Sequence, residues 1–158
     1  MRVETARKLC ELVDELGAIL IRAPPGSAKT SLLQLVAQII TPTIFENVYY
    51  ISLAEVSGKT FESLWAEWYP GINLTGIRSP PKCTGTNPER RPNLLLVDEG
   101  QAGIHMNLTL WGTLKSVMGG FKPHLRMIVV SAWGSELAAT LKTAYTPGGF
   151  GRSSSVGL

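Results

Sequence analysis

The sequence predicts a three-layer α/β/α fold, with helices on both faces of a parallel sheet. Three observations carry this expectation. Short apolar runs alternate along the chain with stretches whose apolar residues recur at helical spacing. The first apolar run breaks into Ala23-Pro-Pro-Gly-Ser-Ala-Lys-Thr30 directly before a helical stretch. A later run ends in the adjacent acids Asp98 and Glu99.

The elements follow in order. Val3, Leu9, Leu12, Val13 and Leu16 fall near helical spacing, so the chain opens with a helix over 1–17 that Gly17 stops. Ala18 to Ile21 is a buried strand that gives way to Pro24-Pro25-Gly26. Leu32, Leu33, Leu35, Val36, Ile39 and Ile40 make a second helix, closed before Pro42. Val48 to Leu53 is rich in β-branched and aromatic residues and reads as the second strand. Phe61, Leu64, Trp65 and Trp68 fit one helix face. Residues 71–93 break the rhythm with prolines and glycines, and predict a long irregular insertion. Leu94 to Val97 is the third strand, Leu108 to Val117 a helix ended by Gly119-Gly120, and Arg126 to Val130 the fourth strand. Residues 134–158 form a Gly/Ser-rich tail. A crossover from Leu53 to Leu94 puts the third strand beside the second, and the fourth beside the first, giving strand order 2-3-4-1.

The 158 residues suit one domain with one core. With 44% hydrophobic and 17% charged residues, the composition excludes a disordered chain. No apolar run approaches the ~20 residues needed to span a bilayer, so no membrane partner is expected. The N-terminal stretch mixes Arg2, Glu4, Arg7, Lys8 and Glu11 with its apolar residues, unlike a signal peptide. An intracellular place, cytoplasmic or nuclear, is therefore expected. Cys10 and Cys83 are far apart and away from His105 and His124, which argues for reduced thiols rather than a disulfide or a zinc site. A net charge of +3 does not by itself point to nucleic acid.

The loop between the first strand and the second helix is where backbone N–H groups can form an anion nest, backed by a helix N-terminus. Its candidate contacts to a nucleotide are Ala23, Pro24, Pro25, Gly26, Ser27, Ala28, Lys29, Thr30 and Ser31. Lys29 is placed to reach β- and γ-phosphates, and the Thr30 hydroxyl to ligate Mg²⁺. The pattern G-x-x-x-x-G-K-[ST] has glycine at both ends, whereas this chain has Ala23 and Ala28. Alanine before the lysine is the costlier departure: at positive φ it is strained by about 1 kcal/mol, and its methyl lies near the phosphates. The bland alternative is a Pro-Pro-Gly turn with an incidental lysine. A second string, Ser57-Gly-Lys-Thr60, reads as a helix start with Thr60 as its cap.

Asp98 and Glu99 stand at the carboxyl end of a parallel strand, where α/β sheets bind ligands. Asp98 is the candidate magnesium ligand, directly or through water, and Glu99 the candidate general base. Taken alone, the pair could equally be a buried strand leaving into solvent. Gln101 and His105 could face the same crevice. The four tryptophans read as core or interface residues, with no base-stacking platform. Arg78, Lys82, Arg90 and Arg91 gather in the insertion, as a solvated loop or as a loop that touches phosphates or a partner.

Together, residues 23–30 and Leu94-Leu-Leu-Val-Asp-Glu-Gly-Gln101 resemble the Walker A and Walker B segments of AAA-type and STAND-type P-loop NTPases. At finer grain, Ile21 to Leu32, Tyr50-Ile-Ser-Leu53 and Trp111 to Gly120 resemble the NTPase module of Crinkler-type proteins. The first resemblance implies that the fourth strand ends in a polar residue that senses the γ-phosphate, here Ser131. The second implies an intracellular protein with a separate effector domain or protein partner. The chain is expected to stop before a fifth strand and a helical lid, its only late arginine being Arg152. The expected function is Mg²⁺-dependent binding of a nucleoside triphosphate, ATP foremost, with weak or no hydrolysis alone. A non-catalytic P-loop scaffold is the alternative, and a DNA-binding NTPase a third reading.

Overall fold

In the computed structural model the apolar runs become the strands of one parallel sheet. The structure describes residues 2–24, 26–39, 44–54, 59–72, 91–105, 108–132 and 155–157. The strands are β1 (Ala18–Ala23), β2 (Val48–Ser52), β3 (Asn93–Asp98), β4 (Leu125–Ala132) and β5 (Ser155–Gly157). They lie in the order β2-β3-β4-β1-β5, every pair parallel. The helices are α1 (Arg2–Leu16), α2 (Lys29–Ile39), α3 (Phe61–Trp68) and α4 (Leu108–Met118), with a 3₁₀ segment at Gly100–His105.

The alternation of a strand's side chains divides the core in two. Leu20, Leu95, Val97, Met127 and Val129 face one way and pack with Leu64 and Trp65 of α3 and Leu110 and Leu114 of α4. Ile19, Ile21, Leu94, Leu96, Ile128 and Val130 face the other way, against Leu9 and Val13 of α1 and Leu33 and Val36 of α2. Strands covered on both faces have no polar face to show, which is why β3 and β4 read as continuous apolar runs. This is the expected three-layer arrangement, with order 2-3-4-1 intact.

Two local devices set the frame. Gly17 ends α1 at φ 80°, its N–H donating to the Val13 carbonyl at 2.9 Å, and its own carbonyl accepts from Met127 at 3.0 Å. β2 is an edge strand, and its exposed backbone is bracketed by one phenol. The Tyr50 N–H donates to the Tyr69 hydroxyl at 2.7 Å, and that hydroxyl donates to the Tyr50 carbonyl at 2.6 Å. An otherwise open pair of backbone groups is thereby closed to further strands.

Three expectations meet the structure here, two of them as read and one corrected. α2 starts at Lys29, three residues before the first apolar signal at Leu32, because its first turn is made of the polar residues Lys29, Thr30 and Ser31. The expectation that the chain stops short of a fifth strand is corrected by Ser155–Gly157, which pairs with Leu20 to Arg22. A three-residue strand with one apolar side chain has no periodicity to read, and its stability comes from the free edge of β1 that it covers. Thr60 does cap α3, in a reciprocal box with Ser63, and Lys59 pairs with Glu67 at 2.6 Å. The second Gly-Lys-Thr string is therefore a helix start. Most of the 71–93 insertion and of the 134–158 tail lies outside the described residues. Among the described residues no helix is long and apolar enough to cross a membrane.

Candidate functional site

β1, β3 and β4 present their carboxyl ends side by side, since neighbouring parallel strands end at the same edge. The loop from β1 to α2 curls over that edge. Ala23 is buried at its start, the Ser27 N–H donates to the Pro24 carbonyl at 3.3 Å, and Gly26 takes φ 77°. Ala28 sits at φ 60°, the left-handed conformation that the sequence associates with glycine at this position. α2 then begins, its first bond running from Leu32 N–H to the Ala28 carbonyl at 3.1 Å.

Lys29 is 6% exposed, and its ammonium folds back across the loop to donate to the Pro24 carbonyl at 2.7 Å. The Ser27 hydroxyl oxygen is buried with no hydrogen-bond partner among the described residues. A buried hydroxyl without a partner costs free energy unless something supplies one. Pro25 lies outside the described residues, and Ser31 is exposed on α2.

Asp98, the last residue of β3, is 2% exposed and held by three donors. The Thr30 hydroxyl donates to Oδ2 at 2.7 Å and the Tyr50 hydroxyl to the same oxygen at 3.1 Å. The Glu99 N–H donates to Oδ1 at 2.9 Å. Burial, with the charge of Asp98 second, pushes the Tyr50 phenol up to about 12, so it remains a donor.

Glu99 adopts φ 55°, uncommon for a residue with a side chain. The reason is local. The chain must turn sharply from β3 into the 3₁₀ segment, and Gly100 is pressed so closely on β4 that a Cβ there would meet Val129 Cγ1 at 2.6 Å. Gln101 ties this corner to the sheet. Its amide nitrogen donates to the Glu99 carboxylate, and its amide oxygen accepts the Ala132 N–H at 2.8 Å.

These groups enclose a cavity of about 510 Å³ lined by Gly26, Ala28, Lys29, Thr30, Glu99, Gln101 and Ala132. Lys29, Thr30 and Glu99 thus meet, with Asp98 one hydrogen bond behind Thr30. Ser131 does not line the cavity; its hydroxyl donates to the Ala132 carbonyl at 3.3 Å. Side chains alternate along β4, and Ala132, not Ser131, comes to the cavity wall. The side chain of His105 lies outside the described residues.

The oxygens of Thr30 and Asp98 suit a hard cation such as Mg²⁺, which takes one or two protein oxygens and completes its shell with water and phosphate oxygens. Among the described residues no three or more His, Cys, Asp or Glu gather into a fuller metal cage. The cavity wall also carries the Lys29 side chain and lies at the start of α2, a setting that suits an anion. Sequence reasoning missed Tyr50, because a tyrosine inside a β-rich strand reads as packing. It also missed the positive φ of Glu99, for which the tight Gly100 was the available signal.

No protein-family model matches the chain, and no curated protein matches its sequence. Solved structures do share its fold. A Walker-type ATPase of Pyrococcus abyssi superposes with a TM-score of 0.54 at 16% identity, over 83% of this chain and 45% of that one. The Aeropyrum pernix ORC2 protein, solved in ADPNP and ADP complexes, gives 0.57 at 12% identity, over 90% and 43%. The Drosophila ORC bound to DNA gives 0.57 at 18% identity, over 82% and 37%. The chain spans less than half the length of each. At such identities the likeness shows the fold alone, and that fold is the parallel-sheet α/β architecture of P-loop NTPases.

Proposed function

We propose that the chain binds a nucleoside triphosphate, ATP foremost, together with Mg²⁺, and hydrolyses it weakly or not at all by itself. One observation carries this reading. Lys29, Thr30 and Glu99, from two segments far apart in sequence, line one cavity at the carboxyl edge of the sheet, with Asp98 bonded to Thr30. The loop's N–H groups and the start of α2 supply positive potential for phosphate oxygens. Lys29 has only to leave the Pro24 carbonyl to offer its ammonium to them. Thr30 and Asp98 are the oxygens that would hold Mg²⁺, whose contribution when bound is to neutralise phosphate charge. Glu99, whose side chain lines the same cavity, would be the carboxylate that accepts a proton from an attacking water. Weak turnover is expected because Glu99 is engaged by Gln101 and because Ala28 strains the loop.

Titration of a fluorescent ATP analogue, with Mg²⁺ and then with EDTA, tests the proposal. Saturable binding that weakens in EDTA and disappears in Lys29→Ala is expected. No saturable binding at millimolar nucleotide would sink it.

Ala28 favours a second reading, a P-loop scaffold without catalysis that serves as an interaction or effector module. Absent nucleotide binding in a folded protein is its signature. A nucleic-acid partner rests on the basic insertion around Arg78 to Arg91 and on the DNA bound by the Drosophila ORC. Duplex binding that is absent or indifferent to salt removes it.

A further inference from the structure

We propose that Tyr50 is a positioning residue that fixes the Asp98 carboxylate for the divalent cation, an inference that rests on the nucleotide reading above. The two hydroxyls that reach Asp98 Oδ2 are not equivalent. Thr30 belongs to the loop that would take the nucleotide, and its oxygen is itself a candidate cation ligand. Its hold on Asp98 is therefore exposed to whatever the loop and the cation do. Tyr50 comes from β2, on the far side of Asp98 from that loop, and is outside the cavity lining. Of the two described side-chain donors to Asp98, Thr30 lines the cavity and Tyr50 does not.

Tyr50 is itself well anchored. β2 and β3 are in register, with Tyr50 opposite Leu96 and Ser52 opposite Asp98, so the phenol reaches along the sheet toward the carboxylate. Its backbone is bracketed on both polar groups by the Tyr69 hydroxyl. Its ring rests against Trp68, with centroids 5.9 Å apart at 49°. A donor that cannot move sets the plane of the acceptor it bonds. With Oδ1 held by the Glu99 N–H, the carboxylate is fixed at both oxygens before any cation arrives. Outer partners of this kind change metal affinity by orienting the ligand and lowering the cost of ordering it.

The test uses Mn²⁺ as a paramagnetic substitute, titrated into the full chain with ATP and followed by electron paramagnetic resonance. Tyr50→Phe keeps the ring against Trp68 and removes one oxygen atom. It should weaken Mn²⁺ affinity for the protein–ATP complex about tenfold, while ATP affinity in EDTA shifts by less than about twofold. Tyr49→Phe, which removes a hydroxyl from the opposite face of β2 and no donor to Asp98, should leave Mn²⁺ affinity in place. A readout without substitution guards against a misfolded variant. With 3-fluorotyrosine in the wild-type chain, the Tyr50 fluorine resonance should shift when Mg²⁺ is added to the ATP complex. Unchanged or tighter Mn²⁺ binding in Tyr50→Phe overturns the proposal, as does equal weakening with and without the cation, or a fluorine signal indifferent to Mg²⁺. If the wild type takes up no ATP at all, the nucleotide reading falls first and this inference with it.

Discussion

The Thr30 hydroxyl donates to Asp98 Oδ2 at 2.7 Å, joining the first turn of α2 to the end of β3 across 68 residues of sequence. Neither residue has an obvious reason to meet the other in a bland fold. Thr30 is exposed in the first turn of a helix, whereas Asp98 is a buried acid at the end of a strand. A buried carboxylate needs donors, and the Thr30 hydroxyl, delivered from the first turn of α2, is one of them.

Thr30→Ala should therefore do two things. Nucleotide affinity in Mg²⁺ should fall about tenfold while affinity in EDTA holds, because the lost oxygen serves the cation. The ligand-free protein should also lose about 1.5–3 kcal/mol, since a hydrogen bond to a carboxylate disappears. Thr30→Ser should retain both properties. Calorimetric titration and a urea melt read the two effects separately, and a serine variant as weak as the alanine one would contradict the assignment.

Ala28→Gly should stabilise the fold by about 1 kcal/mol, since the strain at φ 60° is relieved, and should tighten ATP binding through the space it opens in the cavity. Glycine can hold that conformation freely and also removes a methyl from the cavity wall. Lys29→Ala should abolish binding. Identical affinities for Ala28→Gly, Lys29→Ala and the wild type would mean that the loop takes no phosphate.

Glu99→Gln should preserve nucleotide binding and stop whatever hydrolysis the Ala28→Gly background shows. Glu99→Gly should stop it as well, yet melt at a higher temperature than Glu99→Gln, because glycine relieves the φ of 55° by about 1 kcal/mol. The comparison separates the carboxylate's chemistry from the backbone cost of placing it. A glycine variant that melts below the glutamine one would show that residue 99 carries no strain.

Gly100→Ala should destabilise the protein by about 1–3 kcal/mol, since its Cβ would overlap Val129 Cγ1 and crowd the Val130 carbonyl. Adding Val129→Ala removes the atom struck first. The double variant should then lose less stability than the two single losses together, a coupling that a denaturant cycle measures directly. Strict additivity would place the clash elsewhere.

Much of this was legible in the residues. Buried parallel strands advertise themselves as short apolar runs, and four of them, with their order, could be read. Lys29, Thr30, Asp98 and Glu99 stood out because loop chemistry and strand-end acids are local patterns. The strain at Ala28 was readable from the departure of one residue from glycine. What could not be read was distant or faint. Tyr50 touches Asp98 only because β2 and β3 lie side by side in one register, which no local pattern encodes. The resemblance implies a polar residue, Ser131, at the end of β4, whereas the residue of β4 that lines the cavity is Ala132. β5 is three residues long and held by pairing rather than by its own composition.

The neighbours of β1 also bear on how the chain acquires its shape. Both strands that flank β1, Leu125–Ala132 and Ser155–Gly157, follow it in the chain by a hundred residues or more. Until those strands are made β1 has neither of its sheet neighbours, whereas α1 and α2, which pack together in the folded chain, are both complete by Ile39. Such long-range closure is slow, and it leaves an apolar strand exposed to other chains in the interval. The loop should thus become competent late in folding, when β4 slides between β1 and β3, and nascent chains stalled before Leu125 should carry Lys29 and Thr30 without a formed site.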